Sequence, residues 1–174
     1  MNALLHALEP MPRRLPMGLA DLDAVLAIEQ VAYPFPWMYG NFTDSLRAGY
    51  DAELLRRPGG AILAYSVAMH GAAGETHLLN LTVSPDARRQ GHARELLDAL
   101  VVRARERSHA TLWLEVRMSN LRARAVYERY GFSQVGLRRG YYPAGQSARE
   151  DACVMKLELA PVVSGTQGPP DALD

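Results

Sequence analysis

The run LLNLTVSPDARRQGHARELL, residues 78–97, decides how the rest of the chain is read. Residues 78–83 are an apolar stretch of strand length, and Ser84-Pro85-Asp86 is a turn signal. Arg88-Arg89-Gln90-Gly91-His92-Ala93 then leads straight into a helical pattern. A strand, a tight loop and a helix N-terminus in that order make an anion site, because the first helical N–H groups lack intrahelical partners and point outward. Gly91 lets the backbone approach a ligand with no Cβ in the way. Arg88 and Arg89 add positive charge beside those N–H groups. The pattern points to a phosphate or pyrophosphate, while an ordinary strand-to-helix connection with a solvated basic loop fits the same residues equally well.

The helix that follows is amphipathic. Ala93, Leu96, Leu97, Leu100, Val101 and Ala104 share one face, and Arg94, Glu95, Asp98, Arg103 and Arg105 take the other. Residues 111–117 (TLWLEVR) alternate as a strand, so residues 78–117 are expected to form a strand–helix–strand unit with parallel strands and a right-handed crossover. Alternation puts Leu112, Leu114 and Val116 on one face and Trp113, Glu115 and Arg117 on the other. Glu115 is therefore a carboxylate on the strand beside the anion loop. A structural salt bridge with Arg117 or another cation would explain it without chemistry.

Ser119 is the expected N-cap and Gly131 the expected C-cap signal of a helix over residues 120–130. Asn120 and Tyr127 lie seven apart on it, hence on one face, with small Ala123 between them, as suits the edge of a ligand channel. Residues 132–136 and 153–159 read as the last strands, with Cys153, Met155, Leu157 and Leu159 facing one way. Upstream, residues 13–17 suggest a short strand and residues 19–32 a helix striped by Leu22, Val25, Leu26 and Ala32. A short helix over residues 41–47 and a hairpin of residues 53–57 and 61–69 follow. Two segments are rich in Tyr, Trp and Pro: Tyr33-Pro34-Phe35-Pro36-Trp37 and Gly140-Tyr141-Tyr142-Pro143. Both read as loops, either capping the sheet or touching a substrate. The prolines of the first exclude helix there.

Composition narrows the class. The 174 residues, 48% of them hydrophobic, suit one globular domain with a substantial core. Lys+Arg and Asp+Glu are each 19, so no global field draws the chain to nucleic acid or membrane. The single cysteine, Cys153, excludes an internal disulfide, fits a reducing cytoplasmic compartment, and reads as buried filler. No basic leader or sustained apolar run suggests a signal peptide or membrane span. The organisation expected is a flexible stretch at residues 1–12, one domain at residues 13–160, and a disordered tail at residues 161–174 rich in Pro, Gly and small polar residues.

A P-loop and a dinucleotide fingerprint are both absent. Arg88-x-x-Gly91-x-Ala93 after an apolar strand instead resembles the pyrophosphate signature of the GCN5-related N-acetyltransferases. From residue 78 to 159 the chain resembles the bacterial ribosomal-protein alanine N-acetyltransferases of that superfamily, through the runs LLNLTV, RRQGHA, TLWLEVRMSN, AVYERYGF, RRGYYP and REDA. The Pro-Trp segment at residues 33–37 resembles that family's N-terminal loop. The resemblance implies an α/β (α+β) GNAT fold: a mixed, mostly antiparallel sheet whose central parallel strands splay around acetyl-CoA, with helices on both faces. It implies Glu115 as general base and Tyr127 as general acid. It places acetyl-CoA on Leu81, Thr82 and Val83, on Arg88, Arg89, Gln90, Gly91, His92, Ala93 and Arg94, and on Asn120. His92 departs from the small or aliphatic residue common at its position and is expected to point outward. The peptide would meet Trp37, Tyr141 and Tyr142.

The implied substrate is the N-terminal alanine of a small-subunit ribosomal protein, with no metal, membrane or direct nucleic-acid contact. An α-amine has a pKa of ~8 and arrives mostly protonated at neutral pH, so a base is needed; a lysine amine, pKa ~10.4, is harder to deprotonate. Acetylation of lysine or a small amine is the alternative within the fold. A non-catalytic acyl-CoA-binding module is the alternative outside catalysis.

Overall fold

A computed structural model describes residues 11–160. The expectations for residues 1–10 and 161–174 lie outside the described residues. Seven strands form one sheet in the order β1-β2-β3-β4-β5-β7-β6. They are β1 (Arg13–Pro16), β2 (Asp51–Arg56), β3 (Ile62–His70), β4 (Glu75–Val83), β5 (Thr111–Arg117), β6 (Ser133–Pro143) and β7 (Arg149–Glu158). The helices are α1 (Leu22–Ala32), α2 (Tyr39–Arg47), α3 (His92–Glu106) and α4 (Leu121–Tyr130). Only β4 and β5 pair in parallel; every other neighbouring pair is antiparallel. The expected mixed sheet and its β4–α3–β5 crossover are therefore present.

Helices cover both faces. Leu22 and Val25 of α1 and Phe42 of α2 pack with Leu54, Tyr65 and Val67 on one face. Leu97, Leu100 and Ala104 of α3, with Tyr127 of α4, pack with Leu112, Leu114, Val116 and Met155 on the other. The alternation of β5 read from sequence sets this division, since its leucines and valine are buried and Trp113, Glu115 and Arg117 are half-exposed.

A bulge in β4 positions the site. Val67 of β3 faces Asn80 while Ala68 faces Leu78, so Leu79 is one residue too many. An extra residue shifts the side-chain alternation. Leu78 accordingly joins the α3-side core, whereas Asn80 and Thr82 turn to the α1 side and reach Glu29. Pairing between β4 and β5 also ends here, its last register being Leu78↔Leu114. Beyond it the two parallel strands part, and the outer edge of β4 loses its ladder partner.

Several boundaries differ from the sequence reading. The first helix opens with a 3-10 turn, Leu19–Asp21, before α1 begins. Asn120, not Ser119, caps α4: its Oδ1 accepts from Ala123 N at 3.1 Å, while Ser119 N donates to Glu150 Oε1 at 2.7 Å. Gly140, Tyr141, Tyr142 and Pro143 are not a loop but the end of β6. Between Arg138↔Ala152 and Tyr142↔Glu150, β6 advances four residues while β7 advances two. Gly140 absorbs the excess at φ 55, with its N–H on Asp151 Oδ1 at 2.7 Å. The loop signals Gly and Pro were in fact a bulge within a strand.

Candidate active site

The parted strands open a cleft of about 1340 Å³, larger than a typical small-molecule pocket. One wall is β4 beyond its bulge, with Leu81, Thr82 and Val83; the loop to α3 adds Arg88, Arg89, Gly91, His92, Ala93 and Arg94. The other wall is the start of β5's following segment and α4, with Asn120, Ala123 and Tyr127. Eleven of the positions implied for cofactor and acid thus line one cavity. Gln90 does not: it is exposed on the outside of the loop.

The loop is curled by two left-handed residues, Arg89 at φ 61 and Gly91 at φ 85. Gly91 is required by that angle. A Cβ on it would meet no protein atom within 4 Å, so the space beside this cleft-lining residue is open. Gly91 is also the N-cap of α3 and offers no side-chain acceptor. The first N–H groups of α3 are left for a ligand beside Arg88, Arg89 and Arg94, which fits a pyrophosphate.

His92 corrects an expectation. It is buried (8% exposed), lines the cleft, and its Nε2 has no partner among the described residues. As the first residue of α3, it is turned inward by the same curl that aims the N–H groups.

Tyr127 is buried, its ring edge-on to Phe132 at 5.6 Å. Burial first, then the nearby Tyr33 and Tyr142 hydroxyls, push its pKa well above the usual 10.0, and no hydrogen bond contributes to the shift. Its hydroxyl therefore keeps its proton through the neutral range, and Tyr127 is among the residues that line the cleft.

Beside the cleft, and joined to its lining through Arg117, lies a cluster from β5, β6 and the loop after α1; of the residues expected for the base and the peptide, Glu115, Trp37, Tyr141 and Tyr142 do not line the cleft itself. Glu115 meets Arg138 at 3.1 Å rather than Arg117. Its backbone carbonyl accepts from the Tyr142 hydroxyl at 3.0 Å. Arg117 instead donates to Glu150 Oε2 at 3.1 Å and to the Pro143 carbonyl at 2.8 Å. Its guanidinium lies 4.5 Å from the Tyr142 ring centroid and 5.0 Å from that of Phe35. This one side chain joins the loop at residues 33–37 to β6. Burial acts to raise the Glu150 carboxyl, but hydrogen bonds from Ser119 and the Arg117 guanidinium outweigh it and hold it below its usual range.

The two aromatic segments divide unexpectedly. Trp37 is half-buried and edge-on to Phe42 at 5.1 Å, part of the α1–α2 core. Phe35, 40% exposed, holds the rim beside Arg117, and Tyr33 lines the cleft. Tyr141 lies outside, under Arg138 at 5.3 Å. Sequence reasoning passed over Glu29, which is 1% exposed and lies under this loop. The signal was present: Leu22, Val25 and Glu29 follow helical spacing, and a carboxylate on an apolar stripe must have partners.

A mixed sheet with splayed parallel strands, an uncapped helix over a Gly-containing loop, and a neutral tyrosine in the gap define an acyltransferase cleft for a pyrophosphate-bearing donor. The chain belongs to the acetyltransferase (GNAT) family, whose model matches residues 22–132, and is an acetyl-CoA-dependent acetyltransferase. It is 40% identical over 141 residues to the [ribosomal protein bS18]-alanine N-acetyltransferase of Escherichia coli K12, covering 80% of this chain and 93% of that protein. The protein of the same description from Haemophilus ducreyi is 37% identical over 139 residues, covering 80% and 94%. The crystal structure of the ribosomal-protein-S18-alanine N-acetyltransferase from Escherichia coli matches with a TM-score of 0.77 and 36% identity, covering 90% of this chain and 99% of that one. Among the described residues no helix is long and apolar enough to cross a membrane, and no cluster of His, Cys, Asp and Glu could hold a metal.

Proposed function

We propose that the protein is a cytoplasmic N-terminal α-amino acetyltransferase, with residues 13–160 as its single catalytic domain, acting on the N-terminal alanine of a small-subunit ribosomal protein. The observation that carries the chemistry is the gap between β4 and β5, bordered by the cofactor loop and Tyr127. The substrate rests on the 40% identity to relatives named for that reaction.

Acetyl-CoA lies with its pyrophosphate on the N–H groups around Gly91 and its pantetheine along the free edge of β4, with Asn120 on the far side. The thioester then reaches the gap between β4 and Glu115. The α-amine enters from the β6 side as an ammonium of pKa ~8. Glu115 takes its proton, directly or through one water, as the arriving amine displaces the exposed Arg138 guanidinium. The amine nitrogen attacks the thioester carbonyl, and a backbone N–H of β4 stabilises the tetrahedral oxyanion. Collapse breaks the C–S bond, with the Tyr127 proton passing to the departing sulfur; the second proton of the amine nitrogen leaves through water and restores the Tyr127 hydroxyl, and the proton on Glu115 returns to solvent. The amide and free CoA are the products. Phe35, Tyr142 and Arg117 form the rim the peptide crosses; Trp37 supports that rim from the core.

Incubation with acetyl-CoA and an alanine-initiated peptide containing an internal lysine, read by tandem mass spectrometry, tests this. The expected product carries one acetyl group on the α-amine. Modification chiefly of the lysine side chain, or polyamines outcompeting every peptide, would replace the N-terminal reading with a lysine or small-amine acetyltransferase. Binding of acetyl-CoA without any turnover would make the chain an acyl-CoA-binding module.

A further inference from the structure

Glu29 sits where a charge is costly, so its surroundings show what the fold asks of it. Its Oε1 accepts from the backbone N–H of Trp37 at 3.0 Å and from Asn80 Nδ2 at 3.2 Å. Its Oε2 accepts a short hydrogen bond from the Tyr65 hydroxyl, with Thr82 Oγ1 further off at 3.4 Å. Burial first, then the charge of Glu29, push Tyr65 far above its usual value, so that hydroxyl keeps its proton and donates it to the carboxylate. One carboxylate therefore ties the last turns of α1 to three separate pieces: the loop at residues 33–38, strand β3, and strand β4.

Two of those pieces are the ones the site depends on. Asn80 and Thr82 lie just past the bulge, in the stretch of β4 with no β5 partner. Thr82 Oγ1 also approaches Asn80 Oδ1 at 2.8 Å and the Tyr33 hydroxyl at 3.1 Å, and Tyr33 donates to the Leu81 carbonyl at 3.2 Å. The network thus continues from Glu29 to a hydroxyl on the cleft wall. Trp37 anchors the loop whose Phe35 lies against Arg117. The cofactor loop at residues 88–94 makes none of these bonds to Glu29.

We propose that Glu29 is a positioning residue for the acetyl acceptor: it fixes the loop at residues 33–38 against the free edge of β4, and so sets the entrance through which the amine reaches the thioester. This rests on the acetyltransferase reading above. Glu29→Gln keeps the volume but leaves one acceptor oxygen where the carboxylate has two: its NH₂ meets either the Trp37 N–H and Asn80 Nδ2, donor against donor, or the Tyr65 hydroxyl, which must then turn to accept. The loop and the Tyr33 hydroxyl then lose their common anchor. A displacement of a reacting group by a fraction of an ångström is felt in turnover, whereas the pyrophosphate seat on α3 is untouched.

Steady-state kinetics of the intact protein with acetyl-CoA and an alanine-initiated peptide tests this, together with calorimetry of acetyl-CoA alone. The expected result for Glu29→Gln is a peptide KM raised by about tenfold, with acetyl-CoA affinity lowered by less, about threefold, because Leu81 and Thr82 border the donor as well while its pyrophosphate seat does not touch the network. Tyr65→Phe, a milder loss of one partner, should raise the peptide KM by about threefold in the same direction. A merely structural role would lower the melting temperature of both variants yet leave their peptide KM at wild-type values below it, and that result would overturn the proposal. Should Glu29→Gln fail to bind acetyl-CoA, Tyr65→Phe decides alone: an unchanged peptide KM counts against Glu29. Absence of wild-type turnover would count instead against the assigned reaction.

Discussion

Two regions at the cleft are built by different means. The donor wall is mainly backbone: a strand edge freed by a bulge, two positive-φ residues, and the uncapped first turn of α3. The region proposed for the acceptor, which adjoins the cleft at Arg117, is side chains: Glu115 against Arg138, Arg117 between Phe35 and Tyr142, and the buried Glu29 behind them. Backbone groups held by local geometry recognise what every acyl-CoA shares, a pyrophosphate and an amide-bearing arm. On the proposed reading, side chains brought from several segments decide which amine approaches. A cofactor seat can thus be written in one short motif, while an acceptor seat is spread over the chain.

Substitutions at the chemical step should have the largest effect. Glu115→Gln and Tyr127→Phe are expected to lower kcat by roughly 10²–10⁴-fold with acetyl-CoA affinity nearly intact. Near-wild-type turnover in both would leave Glu115 as the structural partner of Arg138 and Tyr127 as core. On the donor wall, Gly91→Glu puts a strained φ and a negative charge at the anion seat, and calorimetry should find acetyl-CoA affinity down by about 100-fold. Retained affinity would mean the seat is not backbone-built.

Smaller effects are expected at the rim. Arg117→Lys keeps the charge and an N–H donor for Glu150 and Pro143 but loses the planar guanidinium that lies over two rings. Peptide KM should rise by about tenfold and acetyl-CoA KM by less. Equal changes in both would dissolve the distinction between the two regions. The pH profile sharpens it further. Because the Tyr127 pKa lies above the ordinary 10.0, its proton is present throughout the working range. Turnover should rise from pH 6 as the amine, with a pKa of ~8, loses its proton, with no fall below pH 10.

Away from the cleft, Asp51 binds Arg103 at 2.6 Å and His70 at 2.9 Å. Burial acts to raise its carboxyl, but these partners hold it below 3.8. A depressed carboxyl contributes stability above its unfolded value and loses it as pH falls through the folded one. Asp51→Asn should therefore cost about 1–3 kcal/mol at neutral pH and flatten the acid limb of a denaturation series, leaving kinetics unchanged.

The legibility of the molecule follows the same division. Residues 78–97 and 111–117 carried the parallel pair, the crossover and the cofactor loop, since period-2 and period-3.6 patterns and a glycine before a helix are local physics. The face of Glu115 was also readable, because β5 alternates without interruption. His92 was not: its direction depends on the curl at Arg89 and Gly91, which no periodicity encodes. Tyr141 and Tyr142 looked like a loop because Gly140 and Pro143 are ordinary turn signals, and only pairing with β7 shows a bulge there.

The sequence by itself determined the donor half: a strand, an anion-seating turn and an amphipathic helix within twenty residues, and from their likeness to a family the acetyl-transfer chemistry. Only the tertiary structure decided the acceptor half. The bulge at Leu79 turns Asn80 and Thr82 towards Glu29, the partner of Glu115 proves to be Arg138, and Phe35 takes the rim while Trp37 enters the core. Each of these joins residues far apart in the chain. Long-range pairings are chosen by packing and hydrogen-bond satisfaction across the whole sheet, and a local pattern holds no record of them.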